Sequence, residues 1–232
     1  MRLANSILPM VVVASTVGSY ALARLVAVKL ARQGDVVAKS ASEHLEDGLV
    51  ACAGTLAVLP AWHAWHSGLA SLVMPLAAAG FAYVSDLPAI RGDLTKPTPG
   101  MLGAVGAAAA ATLGLVAWAV AIHPRGLLPA GVVSLAAAGL FLAHWGATRM
   151  DPADRGSTFH PHHWAIGLAA AACLGCFRAW PASVGVGIAL AVFVHGTSVY
   201  RPTGLACSWR VPCSRTKFRD VPVVAVPKPG AA

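Results

Sequence analysis

Histidine is the residue type most able to carry chemistry in this chain. Nine histidines occur among 232 residues, of which 57% are hydrophobic and only 11% are Asp, Glu, Lys or Arg. Ionisable side chains in or beside a hydrocarbon layer are costly, so they tend to face a bundle interior and pair with one another, with a substrate or with a metal. Imidazoles and carboxylates are also ligands of zinc and of non-haem iron. The candidate metal ligands are His44, Asp86, His144, His160, His162, His163 and His195.

Three of these histidines form the centre of the leading hypothesis. His144 and His195 lie near the ends of two apolar segments, and His163 closes a His-Pro-His-His run at the start of another. All three are expected at a similar depth, which predicts a metal-centred or proton-active site holding zinc or non-haem iron. Such a site would hydrolyse or oxidise a lipid-like substrate. Haem, with His144 and His195 as axial ligands, is an alternative cofactor.

The same residues are also compatible with two other classes of function. One is a non-catalytic membrane subunit or scaffold that packs against partner membrane proteins, which the many small residues and the scarcity of carboxylates in the apolar segments favour. On that interpretation the His-Pro-His-His run is a hydrated loop and His195 is a hydrogen-bond partner between helices. A small-solute transporter is the third hypothesis, although the sequence shows no acidic relay and no inverted repeat.

The elements that must position these residues are apolar blocks of roughly 20 residues, the length of a helix that crosses a bilayer. They exclude an ordinary soluble domain and predict an all-α, polytopic transmembrane helix bundle over residues 1–200, with about seven spans. Six spans result if the first block is a cleaved signal peptide, and five full spans plus a re-entrant hairpin are a further alternative. The predicted spans are residues 7–23, 48–62, 68–85, 101–122, 127–147, 163–179 and 182–200.

The polar stretch before the second block carries the signals of a helix start. Ser40 or Ser42 is placed to cap that helix, and Glu43, Glu46 and Asp47 suit its first turn, because acidic side chains interact favourably with a helix N-terminus. We therefore expect a helix to begin near residue 41.

The net charge of +8 comes from Lys and Arg residues whose positions predict the orientation of the chain in a membrane. With the seven predicted spans, 14 of the 17 Lys and Arg residues fall on one side, which is the side of the first loop and of the C-terminal tail. Positive charge is normally retained on the cytoplasmic side, so an integral membrane protein with its N-terminus outside and its C-terminus inside is predicted. The sequence has no zinc-finger, RNP or helix-turn-helix signature, so nucleic acid is not an expected partner.

The tail, residues 201–232, is basic and contains five prolines. It has no apolar period and is expected to be extended or disordered, and its charges suit anionic lipid headgroups. Cys207 and Cys213 in this tail are candidates for acylation or weak metal binding. Cys173 and Cys176 lie in the middle of an apolar block without a nearby charge, which indicates small buried residues rather than redox chemistry.

Overall fold

The computed structural model describes residues 2–30, 39–58, 64–85, 99–150, 159–161, 163–199 and 206–208. These residues form seven α-helices and one pair of short strands. The helices are α1 (Arg2–Leu30), α2 (Ala41–Val58), α3 (Ala64–Ser85), α4 (Pro99–Ile122), α5 (Leu127–Met150), α6 (His163–Leu174) and α7 (Trp180–Val199). Strand β1 (Phe159–Pro161) precedes α6, and strand β2 (Ala206–Ser208) follows α7.

The predicted all-helical architecture is confirmed. Four helices are long and apolar enough to cross a membrane, over Ile7–Lys29, His66–Ser85, Pro124–His144 and Trp180–Val199. Two further apolar stretches, Gly106–Ile122 and Trp164–Leu174, are shorter. Seven spans and the N-out, C-in orientation stay predictions.

Two helices differ clearly from their predicted bounds. Helix α1 continues through Arg24 to Leu30, whereas the apolar block was expected to end at residue 23. Helix α6 ends at Leu174, five residues before the predicted end of its span. There the amides of Cys176 and Phe177 donate to the carbonyls of Cys173 and Leu174, at 3.2 and 3.0 Å, and these tighter turns terminate the helix.

Helix α7 is the central element of the bundle. Sixteen of its 20 residues are buried, and helices α1, α2, α3, α4 and α6 all pack against it. Its side chains Leu190, Phe193 and Val194 form the main core together with Met74 of α3. The α5 stretch Pro124–His144 is only 11% buried, so α5 lies at the periphery of the bundle.

Close contacts of α7 depend on glycine. A Cβ atom at Gly167 of α6 would lie 2.6 Å from the backbone oxygen of Ala189 and from the backbone nitrogen of Phe193. A Cβ atom at Gly187 would lie 2.7 Å from the backbone oxygen of Ala70 in α3. These distances leave no room for a side chain, so the absence of one lets the helix backbones approach, the role that small residues have between membrane helices.

Strands β1 and β2 form an antiparallel pair that the sequence did not predict. Phe159 is opposite Ser208, His160 is opposite Cys207, and Pro161 is opposite Ala206. The pair lies beside α5, since β2 contacts that helix. It brings a segment of the C-terminal tail next to the start of α6.

Candidate functional site

Ionisable side chains meet where α1 ends, α2 begins and α7 ends. We call this group the Lys39 cluster. Its members are Tyr20 and Arg24 of α1, Lys39 immediately before α2, and His44 and Asp47 of α2. This cluster contains a buried ion pair between Lys39 and Asp47.

Lys39 lies between a carboxylate and two backbone oxygens. Its Nζ lies 2.7 Å from Oδ2 of Asp47, and it donates to the backbone oxygens of Thr197 and Ser198 at 2.7 and 2.9 Å. The Lys39 side chain has no solvent exposure, and that of Asp47 is 7% exposed. Lys39 thus combines an ion pair with Asp47 and two hydrogen bonds to backbone carbonyls.

The two backbone acceptors identify what this ammonium does. The last carbonyls of an α-helix have no partner within the helix, and the helix dipole gives that end a partial negative charge. Thr197 and Ser198 belong to the last turn of α7, and Nη1 of Arg24 also lies 3.3 Å from the oxygen of Ser198. Two cations from outside α7 thus cap its C-terminus, and Asp47 balances part of their charge.

A capping box positions the acidic partner. The amide of Ser40 donates to Oε2 of Glu43 at 2.7 Å, and the amide of Glu43 donates to the hydroxyl of Ser40 at 3.4 Å. This reciprocal arrangement satisfies donors at the helix start. It confirms the predicted cap at Ser40 and fixes the beginning of α2, from which His44 and Asp47 follow one and two turns later.

His44 faces α1. Its Nδ1 lies 3.0 Å from the hydroxyl of Tyr20, and the two rings meet edge to face with centroids 6.0 Å apart. Burial lowers the pKa of His44 below its ordinary value of 6.5, the charges of Arg24 and Lys39 lower it further, and Asp47 opposes them. A neutral imidazole is therefore favoured in the folded state.

This shift predicts acid sensitivity. Because the unfolded chain takes up a proton at His44 near pH 6.5 and the folded chain only at lower pH, stability falls as pH drops below about 6.5 and levels off below the folded-state pKa. His44→Gln, which cannot titrate, should lose less stability than the wild type between about pH 7.5 and about pH 5. Detergent-solubilised protein unfolded with SDS at each pH, followed by circular dichroism, measures the difference. Parallel stability curves for the two proteins would contradict the assignment.

Histidines also contact neighbouring helix ends at the opposite end of the bundle. Nδ1 of His66 in α3 lies 2.7 Å from the hydroxyl of Ser183 in α7, and the amide of Arg178 donates to Nδ1 of His123 at 3.3 Å. The rings of Trp118 and Trp180 pack edge to face, with centroids 4.5 Å apart. These histidines connect helix ends.

The predicted metal ligands fall into two groups. His44, His144 and His195 have described side chains, and they lie on α2, α5 and α7. His195 is 3% exposed and packs edge to face against Phe81 of α3, with ring centroids 4.9 Å apart. His160 lies on β1 and His163 begins α6, but the side chains of both are outside the described part of the structure, as are residues His162 and Asp86 altogether.

The described side chains do not assemble a metal centre. Among them, no three His, Cys, Asp or Glu residues lie close enough together to hold an ion. His44, His144 and His195 are therefore not brought to one point. A site centred on His144, His163 and His195, with zinc or non-haem iron, stays a prediction because the His163 side chain is not described.

Sequence reasoning missed the role of three residues in the Lys39 cluster. Arg24 and Lys39 were counted as loop charges that set topology, and Tyr20 was not singled out. A usable signal was present, because the apolar pattern resumes at residues 25–28 directly after Arg24, and a charge between two apolar stretches is expected to have a partner. That partner, the end of α7, is more than 170 residues away and cannot be inferred from local spacing.

Comparisons with known proteins add no assignment. The chain matches no protein-family model, no curated protein and no solved structure. The class that the fold itself defines is a helical bundle with four helices long and apolar enough to cross a membrane.

Proposed function

We propose that this chain is a multi-pass integral membrane protein with a structural role, a non-catalytic subunit that associates through α4 with α4 of a second copy. The observation that carries the proposal is the open small-residue face of α4. Gly106, Ala110 and Gly114 recur at every fourth position and are all exposed. Among the residues that the structure describes, no heavy atom other than those of the adjacent α4 backbone comes within 4 Å of a Cβ placed at Gly106 or Gly114.

Membrane insertion is supported by composition and by the placement of charge. Four helices meet the length and apolarity of a span, and exposed Leu, Ile and Val side chains are frequent on α1, α3 and α5. Such side chains suit contact with lipid tails. The predicted excess of Lys and Arg on one side supports an orientation with the C-terminus in the cytoplasm.

A structural role is supported by how the bundle uses its polar groups. Arg24 and Lys39 cap α7, Asp47 of α2 pairs with Lys39, and His66 joins α3 to α7. The hydroxyl of Ser15 in α1 donates to the backbone oxygen of Ser71 in α3. These described contacts each connect two helices, which is the use that polar residues commonly have between membrane helices.

The exposed face of α4 is best suited to pack against α4 of a second copy of the chain. Small residues four apart let two helix backbones approach in lipid, where packing rather than hydrophobicity drives association. The repeat lies on a single helix and is therefore self-complementary under a two-fold axis. From Pro99 to Ile122 the helix carries no charged residue, so nothing on α4 would repel an identical α4. Inside the bundle, the same residue type already brings α6 and α3 onto α7.

Energy transfer in vesicles tests this association. Protein with a donor and protein with an acceptor fluorophore at the C-terminus are reconstituted together, and transfer is measured as the lipid-to-protein ratio rises. Wild-type protein should show transfer, and Gly106→Ile or Gly114→Ile should reduce the association constant roughly tenfold, about 1.4 kcal/mol, by keeping the backbones apart.

Gly18→Ile is the matched control. Gly18 is exposed on α1, and among the described residues nothing lies within 4 Å of its Cβ position, so the same change adds the same bulk away from α4. It should leave energy transfer unchanged. Wild-type protein that dilutes to a monomer, or α4 variants that associate like the wild type, would refute a second copy as the occupant and leave α4 facing lipid or a different membrane protein.

A further inference from the structure

Two arginines lie in adjoining turns at the end of the bundle where α7 begins. Arg125 is part of the short turn between α4 and α5, and Arg178 is part of the connection between α6 and α7. The turns touch, because a Cβ atom at Gly126 would lie 2.5 Å from the ring of Phe177. The amide of Arg178 also donates to Nδ1 of His123, which directly precedes the first turn. Both arginine side chains are exposed, so they share one small area of the surface.

The charge of these arginines is not balanced by acidic residues from the described segments at this end. Those segments belong to stretches of sequence that contain no Asp or Glu, which are residues 1–34, 48–85, 94–150 and 155–219. Helices α5 and α7 both begin here, and the N-terminus of a helix carries a partial positive charge. The helix ends therefore add to the positive potential around the two guanidinium groups.

Exposed aromatic and aliphatic side chains border the same turns. Trp118 and Trp180, which pack against each other, are 50% and 45% exposed. Ile122, Leu127 and Leu128 lie next to the first turn and are exposed as well. Indole rings prefer the headgroup level of a bilayer, whereas aliphatic side chains suit its tails. A ligand that matches this surface is anionic at one end and apolar at the other.

From this arrangement we propose that Arg125 and Arg178 bind the phosphate of an anionic phospholipid, with Trp118 and Trp180 beside its headgroup. We call these four residues the arginine patch. A guanidinium presents its N–H donors in a planar fork that fits two phosphate oxygens. A zwitterionic headgroup would bring a cation next to the two arginines, whereas an anionic headgroup does not.

The predicted orientation places the arginine patch on the side away from the cytoplasm. Arg125 and Arg178 are two of only three Lys and Arg residues predicted on that side, against the usual retention of positive charge inside. A bound anionic lipid gives these two exceptions a function. The inference rests on the membrane insertion proposed above, but it does not require association through α4.

Quenching of tryptophan fluorescence by brominated lipids tests the arginine patch. The full chain in detergent micelles is titrated with phosphatidylglycerol brominated on its acyl chains and, separately, with phosphatidylcholine brominated in the same way. Phosphatidylglycerol should quench at the lower concentration, and Trp118→Phe with Trp180→Phe should remove this difference. Arg125→Gln with Arg178→Gln should raise the half-quenching concentration of phosphatidylglycerol roughly tenfold and leave that of phosphatidylcholine unchanged.

Arg215→Gln with Lys217→Gln is the matched control, because it removes two positive charges from the basic tail and should leave the lipid preference intact. Two measurements on the wild type need no substitution. Added salt should weaken quenching by phosphatidylglycerol only, since it screens exposed charges. Inorganic phosphate has no tails and should not relieve the quenching at the concentration of the lipid.

Each possible failure has a distinct meaning. Equal quenching by the two lipids, or a preference that survives in the double arginine variant, would overturn the arginine patch alone. Loss of the preference in the tail variant would place the lipid at the tail, and relief by inorganic phosphate would assign the patch to a free anion, so either result overturns the proposal. If neither lipid quenches any tryptophan, membrane insertion of the chain is contradicted as well.

Discussion

Replacing Lys39 by methionine is expected to destabilise the folded bundle by about 3–5 kcal/mol, the largest effect of any single change considered for this protein. The substitution removes the ammonium that lies 2.7 Å from Asp47 and leaves that carboxylate buried. Removing one partner of a buried ion pair costs more than the pair contributes, because the remaining charge has lost both water and its counter-ion. The same change removes two hydrogen bonds from the C-terminal carbonyls of α7.

Unfolding in mixed micelles with increasing SDS, followed by circular dichroism, measures this loss. Lys29→Met is the control, since Lys29 is exposed near the end of α1 and the same substitution there should change stability by no more than about 0.5 kcal/mol. If Lys39→Met is as stable as Lys29→Met, the ion pair and the cap of α7 contribute much less to the free energy of unfolding than their burial indicates.

A double variant separates the buried charge from the cap. Lys39→Met with Asp47→Leu leaves no uncompensated carboxylate, so it should be more stable than Lys39→Met alone. It still lacks the donors to Thr197 and Ser198, and it should therefore remain less stable than the wild type. A double variant no more stable than Lys39→Met would show that the loss comes from the cap alone.

The helices could be predicted because each depends on local signals. Apolar blocks indicated the approximate positions of the described helices, and the Ser40–Glu43 capping box indicated the start of α2. Their bounds were less predictable where a distant contact decides them. Helix α1 continues past residue 23 to Leu30, and in this part of the helix the guanidinium of Arg24 contacts the end of α7.

The packing of the helices could not be predicted, for a physical reason. In a soluble helix the buried face is apolar and the exposed face polar, whereas here both faces are apolar. Helix α7 is enclosed on nearly all sides and α5 lies at the periphery, yet both consist of the same Ala, Val, Leu and Gly residues. In such a bundle, the sequence predicts how far along a helix a residue lies more readily than which neighbour its side chain faces.

The same limit applies to the candidate site. Residue counting placed His44 and His195 towards the same end of the bundle, but their partners, Tyr20 and Phe81, depend on how the helices are rotated. The pairing of β1 with β2 could not be predicted either, because a strand of three residues is too short to show an alternating pattern of apolar and polar residues.

Glycine positions allow a prediction in which the same substitution has opposite effects at different sites. Gly→Ala normally stabilises a helix by about 0.5–1 kcal/mol, because alanine restricts the unfolded chain. That gain is expected at Gly18 and Gly80, which are exposed and have no described heavy atom within 4 Å of a Cβ position. At Gly167 and Gly187 the added atom would meet backbone oxygen at 2.6 and 2.7 Å, so a neighbouring helix must move.

We therefore expect Gly167→Ala and Gly187→Ala to lower stability by about 2–3 kcal/mol, while Gly18→Ala and Gly80→Ala raise it. All four glycines lie in helices, and the change is one methyl group in each case, so helix propensity alone predicts the same sign throughout. A difference in sign can only come from the contacts that α7 makes with α6 and α3. SDS unfolding of the four variants measures it, and four changes of the same sign would mean that these helix backbones do not approach as closely as the structure has them.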